Sequence, residues 1–192
     1  MIASAEEVAR SLTGAWDFLH RRPVGMRRFD FSARGFCHSF WALPLAAPAF
    51  VAAVAAERAE QGLLVQGAGL FDDRGPVEAV AISFLAAWLI LPMLAYAATG
   101  LLNIRARFVP FLIACNWSYV VAAIFLSAPS ILFALGWATD GLTWLYAFAF
   151  LFIVAEMRWF MTRVTLGVSG GVAAVLIGAE IGIGLSLRLT IG

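Results

Sequence analysis

Residues 108–127 read FVPFLIACNWSYVVAAIFLS, a run of twenty positions without a charged side chain. A helix of about 20 mainly apolar residues is long enough to cross the roughly 30 Å hydrocarbon core of a bilayer. The run therefore predicts a transmembrane helix. Four other stretches have the same character, and together the five predict spans at about residues 36–56, 77–102, 108–127, 142–160 and 166–187.

The composition of the whole chain agrees with this prediction. Hydrophobic residues make up 62% of the 192 positions and charged residues 13%, whereas a soluble domain has roughly 45–50% and about 25%. A soluble fold of this length could not bury so much apolar surface. We therefore predict an all-α integral membrane protein, with a five-helix transmembrane bundle at 36–192 and a cytoplasmic or interfacial segment at 1–35. That segment lacks a continuous apolar run, so we expect no cleavable signal peptide.

The positions of the arginines predict the orientation. All thirteen basic residues are Arg, and the absence of Lys is typical of a GC-rich bacterial genome. Arginine accumulates on the cytoplasmic side of membrane proteins. We predict a bacterial inner-membrane protein with a cytoplasmic N-terminus and an external C-terminus, because ten of the thirteen arginines then face the cytoplasm: Arg10, Arg21, Arg22, Arg27, Arg28, Arg34, Arg105, Arg107, Arg158 and Arg163.

The N-terminal segment has an amphipathic pattern. A helix with one apolar face is predicted over residues 5–20. Its apolar residues recur at helical spacing: Val8, Leu12, Trp16 and Leu19. Arg21, Arg22, Arg27 and Arg28 follow it, alternating with phenylalanines, a mixture that suits the headgroup layer of an anionic leaflet. The segment is interpreted as a surface anchor that orients the first span, or else as a docking surface for a cytoplasmic partner.

The fifth predicted span has a glycine face. Gly167, Gly171, Gly178 and Gly182 fall within a sector of about 60° on a helix. Two of their spacings are GxxxG, the pattern that lets helix backbones approach closely. Close packing inside the bundle is the first interpretation, homodimerisation the second, and a flat lipid-binding groove the third.

Glu180 lies on the opposite side of the same predicted helix. An ionisable group at that depth is a functional candidate. One interpretation is a proton- or ion-coupled role. The other is a protonated carboxyl that only forms hydrogen bonds, and in that case Glu180→Gln would have a mild effect. The sequence gives no second intramembrane charge to complete a relay.

Asn116 and Ser118 in the third span predict either interhelical hydrogen bonds or the lining of a small-molecule pocket.

Prolines and short apolar segments predict irregular features. Pro44 and Pro48 lie in the first span, and each removes a backbone hydrogen bond and favours a kink. Residues 128–141 are apolar but short, with a proline near the start, and we predict an interfacial or re-entrant piece there. The glycine-rich, acidic residues 61–75 predict an exposed loop.

No pattern in the chain points to catalysis. Walker, Rossmann, HExxH and GxSxG motifs are absent from the sequence. Cys37 and Cys115 are far apart and predict packing, not a disulfide or a zinc site. His38 has no partner histidine and no CxxCH motif, so a haem or metal ligand role is disfavoured. We expect a protein that is not an enzyme and has no cofactor or metal.

Several motifs resemble bacterial members of the Yip1-domain superfamily. They are Phe29-Asp30-Phe31 with Gly35-Phe36 before the first span, Asn116-Trp117 in the third, and WFMTRVTLGVSGGVAAVLIGAE at residues 159–180. The resemblance implies a multispanning membrane protein without known catalysis. Its eukaryotic relatives act in membrane trafficking through partner proteins, and many bacterial ones are loosely labelled as transporters. The family defines no catalytic residues to carry over.

The sequence therefore favours a non-enzymatic scaffold or accessory subunit of a membrane complex. Its expected partners are the lipid bilayer and other membrane subunits or a second copy of itself, and not nucleic acid. The alternative is a small transporter or channel with Glu180 as its ionisable site.

Reporter fusions test the predicted topology. Fusions at Gly192 and near Asp72 should report the external side, and fusions near Arg105 the cytoplasm, because the arginine-rich loops stay inside. A cytoplasmic C-terminus would require an even number of spans and would refute the five-span arrangement.

Overall fold

The computed structural model describes residues 3–60 and 74–191, and within them the secondary structure is entirely helical. The described part contains eight α-helices: α1 (Ala5–Leu19), α2 (Ala33–Ser39), α3 (Ala42–Leu45), α4 (Ala47–Glu60), α5 (Arg74–Leu101), α6 (Phe108–Ala134), α7 (Asp140–Leu166) and α8 (Gly170–Ile191). Short 3₁₀ helices follow α1 at Pro23–Arg28 and precede α6 at Arg105–Arg107. Most of the predicted loop, residues 61–73, lies outside the described residues.

Five helical stretches in the described residues are long and apolar enough to cross a membrane. They are Ala33–Ala56, Val77–Leu101, Arg105–Ala134, Gly141–Leu166 and Gly170–Leu187. The prediction of an all-helical fold with five candidate spans is confirmed to this extent. In an apolar window of 18 residues, 67% of the residues of the third stretch are buried inside the protein, against 22–33% for the other four stretches. It is therefore the central helix, and α8 packs at the edge of the bundle against α5 and α7.

The first candidate span is broken where its prolines occur. It consists of α2, α3 and α4 in succession, with Pro44 inside α3 and Pro48 at the start of α4. Because proline has no N–H, neither residue can donate the backbone hydrogen bond that would make the helix continuous. The predicted kinks are present as short interruptions.

Residues 128–141 differ from the prediction of an interfacial or re-entrant piece. α6 runs through Pro129 and ends only at Ala134. The end is made by Gly136, which has a positive φ of 72°. Its N–H and that of Trp137 donate to the carbonyls of Phe133 at 2.8 Å and Leu132 at 2.9 Å, the hydrogen-bond pattern of a Schellman motif. The prediction was wrong because glycine, and not the proline, ends this helix.

The boundary between α7 and α8 also differs from the prediction. α7 continues to Leu166 and ends at Gly167, whose φ is 63° in the left-handed region. Gly167 is thus the C-cap of α7 and not part of the fifth span. A glycine is favoured there because a side chain would be strained at this φ, and because the Arg107 guanidinium occupies the space that a Cβ would need.

The N-terminal segment is part of the bundle. α1 begins at the predicted place, with the Ser4 side chain accepting the N–H of Glu7 at 3.2 Å. Its buried face, however, is centred on Ser11, Ala15 and Phe18, and Ala15 and Phe18 are 0% exposed within the core that α6 and α7 also form. Trp16 is 49% exposed on another face. The helix prediction is confirmed, and three of the four predicted apolar residues, Val8, Leu12 and Leu19, pack against this core. Trp16 is the exception.

The Phe29–Phe36 stretch has a tight turn that accounts for its glycine, Gly35. The Asp30 carboxylate accepts the N–H of Ser32 at 2.9 Å, and this hydrogen bond lowers the pKa of Asp30 below its ordinary value. A Cβ on Gly35 would lie 2.0 Å from the carbonyl oxygen of Asp30. Glycine is needed at position 35 because α2 starts directly against this turn.

Phe18→Ala tests whether α1 belongs to the folded core. Removing a fully buried phenylalanine should lower the free energy of unfolding by about 3–5 kcal/mol, measured as a fall in the thermal midpoint in mild detergent. Trp16→Ala is the control, since the half-exposed Trp16 should change the midpoint little. Equal midpoints for Phe18→Ala and the unaltered protein would mean that α1 is only a surface attachment.

A candidate functional site around a buried ion pair

A salt bridge lies inside the helical bundle. The Arg158 guanidinium of α7 pairs with the Glu180 carboxylate of α8, and their side chains are only 8% and 7% exposed. Arg158 lies about 12 Å from the end of α7, as eight residues at 1.5 Å each separate it from Leu166. The sequence analysis counted Arg158 among the cytoplasmic arginines, and this was wrong. The continuation of α7 to Leu166 places the residue well inside the candidate span.

The ion pair has a third participant on α5. Both terminal nitrogens of Arg158 face the carbonyl oxygen of Ala87, at 3.5 and 3.4 Å. A carbonyl has two lone pairs, so it can accept from the guanidinium as well as within its own helix. One arginine therefore connects α5, α7 and α8. The second oxygen of Glu180 is buried and has no hydrogen-bond partner among the described residues.

Two α6 side chains complete the surroundings of Arg158. Cys115 and Tyr119 are 5% and 3% exposed and lie within electrostatic reach of the guanidinium. The Tyr119 hydroxyl donates to the carbonyl of Phe84 on α5 at 2.8 Å. Cys115 is a free thiol. The prediction that the cysteines fill space in the fold fits this buried position for Cys115, whereas Cys37 is exposed.

Asn116 forms hydrogen bonds to two other helices. Its amide nitrogen donates to the Ser39 hydroxyl of α2 at 2.9 Å, and its amide oxygen accepts from the Trp88 indole of α5 at 3.1 Å. The structure thus places Asn116 in the interhelical role, one of the two that the sequence left open. Ser118 is also buried, and its hydroxyl has no partner among the described residues.

These groups form a continuous polar layer, defined here as Ser39, Trp88, Asn116, Tyr119, Arg158 and Glu180 with the carbonyls of Phe84 and Ala87. Every one of the five candidate spans contributes to it. Because Ala87 and Trp88 are adjacent, the Arg158 and Asn116 contacts meet on one stretch of α5. The layer ties the five spans together in one register.

A second set of polar contacts fastens the N-terminal segment to the spans. His38 of α2 and Glu7 of α1 are both buried, with the His38 Nδ1 and a Glu7 oxygen 2.8 Å apart. Arg21 forms an ion pair with Glu156 of α7. The sequence shows no partner histidine for His38 and did not predict its contact with Glu7. The buried contact with Glu7 shows what the residue does in the fold.

Of the four arginines predicted to lie at the membrane surface, most contact carboxylates of this chain. Arg28 donates to Asp17 of α1 at 2.6 Å, and Arg22 is 4.0 Å from the same carboxylate. With Arg21 bound to Glu156, three of the four contact carboxylates of this chain. Arg27 alone of the four is exposed with no ion pair among the described residues. Attachment of α1 to the bundle is therefore one role of these arginines, and their contact with lipid stays a prediction.

The glycine face of α8 points away from the bundle. Gly171, Gly178 and Gly182 are exposed. A Cβ added at Gly178 or Gly182 would have nothing within 4 Å, and one at Gly171 would meet only the Ser169 hydroxyl at 3.9 Å. Close packing inside the bundle, the first interpretation of this face, is therefore wrong. A shallow groove runs along the same outer side of α8, lined by Ala179, Gly182, Ile183, Ser186, Leu187 and Thr190.

The described residues contain no group of three or more His, Cys, Asp or Glu side chains that could hold a metal ion. Comparison of the chain with protein-family models, with curated proteins and with solved structures finds no match. The Yip1-like resemblance therefore stays a prediction.

Removal of either charge of the ion pair tests its importance. Glu180→Gln leaves the buried Arg158 without a carboxylate, and loss of one partner of a buried pair costs about 3–5 kcal/mol. We therefore expect a marked fall in the thermal midpoint, in contrast to the mild effect that a protonated, unpaired Glu180 would give.

The double variant Arg158→Met, Glu180→Leu is the control for this measurement. It removes both charges and leaves no uncompensated ion, so it should be more stable than Glu180→Gln. If Glu180→Gln and the double variant both unfold at the temperature of the unaltered protein, the ion pair does not support the fold.

Proposed function

We propose that this chain is a non-enzymatic, multi-pass protein of a bacterial inner membrane that works by helix packing, as a scaffold or accessory subunit of a larger membrane complex. The observation that supports this proposal is the exposed glycine face of α8, Gly171, Gly178 and Gly182, which no other part of the described chain covers. The proposed orientation, with the N-terminus in the cytoplasm, is supported by the arginine distribution.

The energetic cost of glycine supports an intermolecular contact. In the middle of a helix, glycine is less favourable than alanine by about 1 kcal/mol. Among the described residues the three glycines make no contact that offsets the cost, because alanine would fit at each of them. A helix from another subunit or from a second copy would offset it, since small residues permit close backbone approach.

The structure of the remaining bundle fits a scaffold. The polar layer holds five candidate spans together by direct hydrogen bonds and an ion pair, so the outer face of α8 is presented on a fixed support. A fixed support favours binding because less conformational freedom is lost when the partner docks.

A small transporter with Glu180 as its ionisable site is the second candidate. Arg158 favours it, because this residue supplies the second buried charge that the sequence did not predict. Two features favour the scaffold instead. The charges are paired directly with each other, and neither the groove along α8 nor a second one beside α7 is lined by Arg158 or Glu180.

Gly178→Leu tests the proposed contact surface. The site is open within the chain, so leucine should leave the fold intact, and it should also be the better helix former. The bulky side chain should prevent close approach of a partner helix. We expect loss of the subunits, or of the second copy, that co-purify from native membranes in mild detergent, with the thermal midpoint unchanged.

Gly184→Leu is the matched control. Gly184 is a glycine of the same helix with nothing within 4 Å of an added Cβ. It points about 120° away from Gly178 around the helix axis, so it lies outside the glycine face. It should retain the co-purifying partners. Retention of the partners by both variants, together with substrate movement by the purified protein in liposomes, would favour the transporter.

A further inference from the structure

A groove runs beside the end of α7 where the helix leaves the apolar part of the bundle. It is lined by Pro23, Phe160, Arg163, Val164, Gly167 and Val168. One wall is the last two turns of α7, and the other is the turn that begins at Pro23. The Arg21–Glu156 ion pair joins these two walls one turn further along α7. The groove is thus built from two segments that this ion pair joins.

Two exposed guanidinium groups border this groove without a carboxylate partner among the described residues. Arg163 lies over the Trp159 ring, with its guanidinium carbon 5.6 Å from the ring centroid. The Arg107 guanidinium rests against Gly167, where it fills the position of the missing Cβ. By contrast, Arg21 and Arg28 are bound to carboxylates of the chain. Arg107 and Arg163 therefore keep their charge available for an external anion.

The two ends of the groove differ in character. Phe160, Val164 and Val168 give it an apolar wall, and these side chains are half-buried. Arg163, Arg107 and the exposed Gly167 form its polar rim. The rim coincides with the end of the fourth candidate span at Leu166. A ligand that fits must be anionic at one end and apolar at the other, and it must lie at the boundary between hydrocarbon and water.

We propose that this groove binds an anionic phospholipid, with the headgroup phosphate between Arg107 and Arg163 and an acyl chain along Phe160, Val164 and Val168. Guanidinium groups bind phosphate oxygens through paired N–H donors. Basic pockets at the cytoplasmic ends of membrane helices recognise anionic headgroups in this way. The site is separate from the glycine face of α8 and does not depend on the proposed partner contact.

Lipid binding by the purified full-length chain tests the proposal. The probes are phosphatidylglycerol, phosphatidylcholine and inorganic phosphate, and the readouts are bound lipid by native mass spectrometry and the rise of the thermal midpoint in detergent. Phosphatidylglycerol should bind and stabilise, and the other two should do so much less. Arg107→Gln with Arg163→Gln should weaken phosphatidylglycerol binding roughly tenfold or more.

Arg27→Gln is the matched control, because it removes an exposed, unpaired arginine from the same segment without touching the groove. Its affinity for phosphatidylglycerol should stay within about twofold of that of the unaltered protein, since all the groove residues are kept. Val168→Phe fills the apolar wall while both groove arginines remain, and it should also weaken binding. This variant decides the question if the double arginine variant does not fold.

Three results would overturn the proposal. The first is equal loss of binding in Arg27→Gln and in the double variant, which would mean diffuse attraction to the whole basic end. The second is equal stabilisation by inorganic phosphate, which would mean a site for soluble anions. The third is unchanged binding in both the double variant and Val168→Phe.

Discussion

The Arg158–Glu180 ion pair is the constraint on which the arrangement of the spans depends. Two opposite charges in an apolar interior are tolerated only when they face each other, because an isolated buried ion is far more costly than a paired one. This requirement fixes the rotation and the height of α8 relative to α7. The contact of Arg158 with the Ala87 carbonyl extends the same requirement to α5. Hydrogen bonds of Asn116 and Tyr119 then connect α6 to α5 within the same polar layer.

A consequence of this pairing is the outward position of the glycine face. Glu180 must point at Arg158, and the glycines lie on the opposite side of α8, so they must face away from the bundle. The Arg158–Glu180 contact therefore explains both the inward position of Glu180 and the outward position of the glycine face. The inward side of the helix contacts α5 and α7, and the glycines of the outward side are not covered by the described residues.

The N-terminal segment shows how polar contacts can hold an amphipathic helix on a bundle. α1 buries Phe18 and Ala15 in the shared core, and its Glu7 carboxylate reaches His38 of the first span. The Arg21–Glu156 pair fastens the following turn to α7. These contacts use several of the charges near the end of the bundle, whereas Arg107 and Arg163, like Arg27, are exposed and have no carboxylate partner among the described residues. The groove beside α7 combines Arg107 and Arg163 with an apolar wall.

The sequence by itself determined the class of fold, the five candidate spans and the helix at α1, because these depend on the length and periodicity of apolar runs, which are local properties. It also located Glu180, Asn116 and the glycine face. The predicted helix ends were less accurate. α6 passes Pro129 and α7 continues to Leu166, and in both cases a glycine in the left-handed region follows the end of the helix. The continuous α7 is what moves Arg158 into the interior. Only the tertiary structure decided that Arg158 pairs with Glu180, that His38 pairs with Glu7, and that the glycines face outward. Each of these depends on residues far apart in the chain meeting at one height and one rotation, and no local pattern carries that information.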